Sequence, residues 1–132
     1  MTDIIVLDTS VLVAFARLEP GAEQIRRRLE SGRRFMHAVN VAELLFTLPR
    51  RMPTRFTPKS ALAWFSAAEI GVANTLDQDF LRLTAEIRLT ERSLSIGDGM
   101  AIALASVLGV PIITTERNFQ RAGEYADIEL IR

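Results

Sequence analysis

Asp3-Ile4-Ile5-Val6-Leu7-Asp8 is an apolar run closed at both ends by a carboxylate. It contains no polar residue that could face water. A run of this kind reads as a strand buried on both faces of a parallel sheet, because a half-exposed strand would alternate apolar with polar residues. Similar short runs follow at Arg34 to Val39, Ile70 to Ala73, Val110 to Thr114 and Ile128 to Ile131. Helical patterns separate them. Thr9 or Ser10 is expected to cap a helix reaching about Leu18, which Glu19-Pro20-Gly21 breaks, and Ala22 to Glu30 reads as a basic amphipathic helix. Asn40 is expected to open a helix that stops near Pro49, and Thr57-Pro58 pairs a cap with an N1 proline at the head of a helix through Ala68. Asp77 to about Glu91 is helical, and Ser95 caps a last helix through Leu108, closed by Gly109.

Short strands alternating with helices define an α/β fold of three layers, α/β/α, with a short, mainly parallel central sheet flanked by helices. With 132 residues, a single domain over residues 1–132 is expected. The chain has no cysteine, which excludes disulfides, zinc–thiolate sites and cysteine nucleophiles. The longest uncharged stretch, Gly99 to Thr115, falls short of the roughly 20 residues of a membrane span. With no positively charged leader at the N-terminus, a cytoplasmic location is expected.

In a parallel sheet, strand C-termini and helix N-termini meet at the edge where such folds bind ligands. Asp8 leaves the first strand and Glu116 follows the strand ending at Thr114. Glu43 and Asp98 are expected in the first turns of the helices opened by Asn40 and Ser95. All four acids should face one rim. Four carboxylates at close quarters repel one another unless a cation compensates. An all-oxygen set without His or Cys suits Mg²⁺ or Mn²⁺, ions that can activate water for attack on a phosphodiester. Each acid also has a plainer reading. Asn40-x-x-Glu43 and Ser95-x-x-Asp98 both fit a helix capping box, Asp8 can close a turn, and Glu116 can be a solvated loop charge. Capping and metal binding are compatible, since a capping carboxylate keeps a second oxygen. His37, the sole histidine, is placed in the middle of the second strand, as a strand or interface residue rather than a ligand.

The formal net charge is zero, but from Gln24 to Lys59 nine basic residues stand against Glu30 and Glu43, a net of +7. Arg26, Arg27, Arg33, Arg50, Arg51 and Arg55 are candidates for contacts to an RNA backbone. A solvated helix face with a basic loop is the alternative. Trp64 and Phe65 lie in a helical apolar pattern and read as core rather than as base-stacking platforms.

Ile5-Val6-Leu7-Asp8-Thr9-Ser10, Ala38-Val39-Asn40-Val41-Ala42-Glu43-Leu44, Leu94-Ser95-Ile96-Gly97-Asp98-Gly99-Met100-Ala101 and Ile112-Ile113-Thr114-Thr115-Glu116-Arg117-Asn118 occur in this order across nearly the whole chain. Together they resemble a PIN domain, and specifically the VapC-type toxin of a bacterial toxin–antitoxin pair. The resemblance implies a metal-dependent endoribonuclease acting on a structured RNA such as tRNA or rRNA. In it Asp8, Glu43 and Asp98 bind Mg²⁺ or Mn²⁺ and position water, with Thr9, Ser10 or Asn118 in support. The family usually has Asp at the fourth acidic position and often another two residues later; this chain has Glu116 and Asn118. A homodimer silenced by a VapB-type antitoxin is also implied, with Val11, Leu12 and Phe15 as candidates for an apolar groove that would receive it. The rivals are an RNA-processing PIN nuclease and a catalytically weak PIN domain acting mainly as a binding partner. A phosphatase fits poorly, because Asp8-Thr9-Ser10 lacks the second nucleophile-site Asp and Lys59 is the only lysine.

Overall fold

The computed structural model describes residues 3–131. Five strands, β1 (Ile4–Leu7), β2 (Arg33–His37), β3 (Gly71–Ala73), β4 (Ile112–Thr114) and β5 (Ile128–Leu130), form one sheet in the order β3-β2-β1-β4-β5. Every neighbouring pair is parallel. Helices α1 (Thr9–Ala16) and α2 (Ala22–Glu30) link β1 to β2, and α3 (Ala38–Arg51) and α4 (Pro58–Ala67) link β2 to β3. Helices α5 (Gln78–Thr90) and α6 (Ile96–Leu108) link β3 to β4, and a 3₁₀ turn over Arg117–Ala122 precedes β5.

Successive residues of a strand point to opposite faces, and here both faces are covered. Ile5 and Leu7 of β1 pack with Met36 and Ile113 against α1 to α4, where Leu12, Ile25, Leu44 and Phe65 are buried. Val6 and Ile112 turn the other way, onto α5 and α6, with Phe80, Ile87, Ile102 and Leu104. Central β1 therefore has no place for a polar residue until it ends at Asp8. Trp64 packs on Phe15 and Phe56, with ring centroids 6.4 and 5.9 Å away, and Phe65 is buried, so both belong to the core. No helix among the described residues is long and apolar enough to cross a membrane.

Most helix starts agree with the expected caps. Thr57 and Ser95 make full capping boxes and Asp77 caps α5. Two starts differ. The cap of α1 is Asp8 itself, whose side chain accepts from the Ser10 N–H, and the helix ends at Ala16 rather than Leu18. Helix α3 starts at Ala38, not at Asn40, because its cap is His37 at the end of β2 rather than in mid-strand. The His37 Nδ1 accepts from Val39 N–H at 3.1 Å, and its Nε2 lies 2.8 Å from Thr75 O. A neutral imidazole protonated at Nε2 accepts at one nitrogen and donates at the other, and so does the work of a capping Ser or Asn. The fully buried ring also stacks on Phe80 at 5.2 Å. As a result Asn40 lies inside α3 and Glu43 falls in the second turn, so Asn40-x-x-Glu43 is not a capping box. Helix α3 also continues through Pro49 to Arg51, losing only the hydrogen bond that Pro49 cannot donate.

Candidate active site

The C-terminal edge of the sheet holds an open cleft of about 290 Å³ lined by Asp8, Thr9, Ser10, Glu43, Asp98 and Glu116, with Val13, Glu19, Thr47, Arg51 and Thr115 completing the wall. All four acids expected at this rim therefore reach one space, although they arise from β1, α3, α6 and the segment after β4.

Each of the three deeper acids is tied to the protein through one oxygen. Asp8 is 2% exposed. Its Oδ2 accepts from Ser10 Oγ at 2.6 Å, from Thr114 Oγ1 at 3.1 Å and from Ser10 N–H at 3.4 Å. The two hydroxyls accept in turn from backbone N–H groups leaving β4, Thr115 N to Ser10 Oγ and Glu116 N to Thr114 Oγ1. The Asp98 Oδ2 accepts from Ser95 N–H at 2.9 Å in the capping box of α6. The Glu43 Oε1 accepts from Asn40 Nδ2 at 3.3 Å. None of these bonds uses Asp8 Oδ1, Asp98 Oδ1 or Glu43 Oε2. Glu116 is exposed and its side chain makes no capping bond.

Burial pushes the Asp8 carboxyl up to about 7, and the charge of Asp98 adds to the rise against the hydrogen bonds from Ser10 and Thr114. Burial raises Glu43 as well, again with Asp98 adding to it and the Asn40 amide opposing. Mutual repulsion of this kind is relieved by a bound cation. Among the described residues, no three Asp, Glu, His or Cys side chains already converge closely enough to enclose a metal ion. The donor set itself is oxygen only and negatively charged, which is the chemistry of Mg²⁺ and Mn²⁺ sites.

The supporting residues separate. Thr9 Oγ1 donates to Asn40 O at 3.0 Å, and Ser10 belongs to the Asp8 network. Asn118 lies away from the cleft, with its Nδ2 donating to Ser93 Oγ at 3.0 Å. The arginines do not form one track. Arg26 pairs with Glu23 and Glu30, and Arg27 with Glu23. Arg33 and Arg50 lie over the rings of Phe35 and Phe46. Arg55 donates to Ala16 O at the end of α1. Only Arg51 among the six lines the acidic cleft, and it has no carboxylate within salt-bridge distance among the described residues. Val11 and Leu12 are buried in the core and offer no surface groove, whereas Leu18 and Phe46 are 80% and 64% exposed.

Sequence reading passed over Thr114 and Gly97 and took Asn40 only as a helix cap. Thr114 is a buried hydroxyl that ends the strand beside β1, and only the β1–β4 pairing brings it to Asp8. Gly97 is the second residue of α6, in the first turn, where glycine carries little signal of its own.

A parallel α/β sheet with carboxylates gathered at its C-terminal edge places them where folds of this class bind ligands. The PIN domain model matches residues 5–125, and the chain belongs to this family. Among solved structures it is similar to Mycobacterium tuberculosis VapC20, described as a sarcin-ricin loop cleaving toxin (TM-score 0.71, 19% identity, covering 90% of this chain and 95% of that one). It is also similar to DNA-bound VapBC from Salmonella typhimurium (0.68, 20%, 98% and 98%) and to FitAcB from Neisseria gonorrhoeae (0.63, 20%, 94% and 95%). No curated protein matches the chain in sequence.

Proposed function

We propose that this protein is a divalent-metal-dependent endoribonuclease, the toxin of a VapBC-type pair, cutting a structured RNA such as tRNA or rRNA in the cytoplasm. The observation that supports it best is the arrangement of Asp8, Glu43 and Asp98, which line a common cleft and are each hydrogen-bonded through one oxygen only. Those three, with Glu116 as the fourth, would hold Mg²⁺ or Mn²⁺. When bound, the ion would acidify a water and offset charge on the phosphoryl group. Ser10 and Thr114 hold Asp8 in one orientation, and Ser95 does the same for Asp98. Arg51 is placed to meet a phosphate at the mouth of the cleft, where its charge also offsets that of the acids. The similarity to VapBC structures supports an antitoxin as partner, and the free protein is proposed to be a homodimer. A basic side chain of such a partner, inserted among these carboxylates, would compete with the metal.

Purified protein is expected to cleave RNA with Mn²⁺ or Mg²⁺ and to stop in EDTA, with Asp98→Asn inactive. Mapping new RNA 5′ ends after induced expression would identify the target. Full cleavage by Asp98→Asn would remove the assignment of the site. Arg51→Ala is expected to raise KM for RNA by about tenfold with kcat nearly unchanged, the size of one lost charged contact. An unchanged KM would take Arg51 out of the RNA contact. The substitutions at Glu116 and Asn118 favour one rival, a PIN domain that binds but cuts weakly. Metal binding without cleavage of any cellular RNA would support that rival.

A further inference from the structure

Asn40 and Gly97 lie where the helices carrying Glu43 and Asp98 meet. Asn40 is 1% exposed. Its Nδ2 donates to Gly97 O at 3.0 Å and to Glu43 Oε1 at 3.3 Å. Both acceptors are oxygens, so the amide has one workable orientation; turned over, it would set Oδ1 against two other oxygens. In the orientation it holds, Oδ1 is buried without a hydrogen-bond partner. Unpaired buried amide oxygens are rare, and one that persists points to what the other half of the group is doing. The backbone of Asn40 adds a third link, since its O accepts from Thr9 Oγ1, the residue after Asp8.

Gly97 bounds the same carboxylate from the other side. A Cβ at this position would stand 1.8 Å from Glu43 Oε1 and 2.7 Å from its Cδ, and the three nearest atoms all belong to the Glu43 carboxyl group. The backbone at Gly97 is not left-handed, so helix geometry does not call for glycine here. Space for Glu43 does.

We propose that Asn40 and Gly97 are positioning residues for Glu43: Asn40 anchors Oε1, and Gly97 leaves the volume that this oxygen occupies. Between them they fix the Glu43 carboxyl group in the wall of the cleft and leave Oε2 outside the bond that Asn40 makes. The inference rests on the reading of the cleft as a metal site.

Mn²⁺ binding measured by calorimetry tests it separately from cleavage. The Glu43 carboxyl is the end of a flexible side chain, so Gly97→Ala should fold with Tm unchanged or raised while Glu43 swings away. Its Mn²⁺ affinity should fall at least tenfold, in the range seen when groups orienting a ligand are lost, and kcat should fall with KM for RNA held. Glu43→Ala supplies the reference, with a similar loss of affinity. In that background Gly97→Ala should cost no further affinity and should leave Tm unchanged or raised, because the clash is gone. Wild-type Mn²⁺ affinity in folded Gly97→Ala, beside a loss in Glu43→Ala, would overturn the positioning role alone. Wild-type affinity in Glu43→Ala would overturn the metal-site reading instead. If Gly97→Ala does not fold, Asn40→Ala takes its place: a tenfold loss of affinity supports the proposal and no loss overturns it.

Discussion

Asp8→Asn is expected to abolish metal-dependent cleavage and, in the same molecule, to raise the stability of the metal-free protein at pH 8. The two effects share one cause. Asp8 directly follows the central strand β1, and the residue is 2% exposed. The surrounding groups cannot repay that burial: Ser10 and Thr114 donate to Oδ2, yet the carboxyl is still pushed up to about 7. Asparagine keeps most of what is favourable. Its carbonyl accepts from the same hydroxyls, and it caps a helix as well as aspartate does. What it loses is the attraction of a negative charge to the start of α1, worth about 0.5 kcal/mol. What it removes is a desolvated charge costing a few kcal/mol, by the order-of-magnitude relation between pKa and free energy. Stabilisation therefore wins, and Tm in EDTA at pH 8 should rise by at least about 5 °C. Activity should fall by about 10³ or more, because a neutral amide neither attracts nor holds a divalent cation comparably. This is the trade between stability and function seen where a site concentrates unfavourable charge. A variant less stable than the wild type at pH 8 would show that the Asp8 network is structural rather than strained.

The parts of this molecule that were legible in the sequence are those in which one residue type has one physical consequence. An apolar run with no polar member had to be covered on both sides, and β1 is. The cap at Thr57, the box at Ser95 and the terminator at Gly109 act within a few residues, so they could be read without knowing the fold. The convergence of Asp8, Glu43, Asp98 and Glu116 on one cleft followed from parallel topology, and the displaced start of α3 did not spoil it. A shift of two residues moves Glu43 along its helix but leaves it near the sheet's C-terminal edge. What failed was local chemistry that depends on a distant partner. His37 caps α3 because Thr75 O holds its other nitrogen and Phe80 covers its ring, neither of which is adjacent in sequence. The arginines between Arg26 and Arg55 look like one basic track as a string. Folded, most are engaged with nearby carboxylates, rings or helix ends, and Arg51 alone of the six is left at the cleft. Charge density along a chain does not determine charge density on a surface.

Unfolding free energy of the metal-free protein should fall as pH rises from about 4 to about 7 and then level off. Asp8 has its ordinary value of 3.8 in the unfolded chain and about 7 in the fold. Between those values the folded state binds more protons than the unfolded one, so stability declines with rising pH. Below 3.8 the group is protonated in both states, and above 7 it is ionised in both, so neither limb contributes. Glu43, raised by burial and Asp98, acts in the same direction. Glu23 and Glu91 act in the opposite one, since hydrogen bonds from Arg26 and from Ser93 lower them and favour the fold above the usual carboxylate range. Exposed pairs such as Arg26–Glu23 contribute little, so the buried carboxyl sets the sign. The expected decline is a few kcal/mol between pH 5 and pH 8, read from denaturant unfolding in EDTA. Saturating Mn²⁺ should restore stability at pH 8, where the ligands are ionised, and do much less at pH 5, where Asp8 keeps its proton. In Asp8→Asn the slope should flatten to the residual contribution of Glu43. Equal stability at pH 5 and pH 8 in the wild type would mean that Asp8 is solvated well enough to ionise freely, and the cleft would then lack the charge strain that makes it attract a cation.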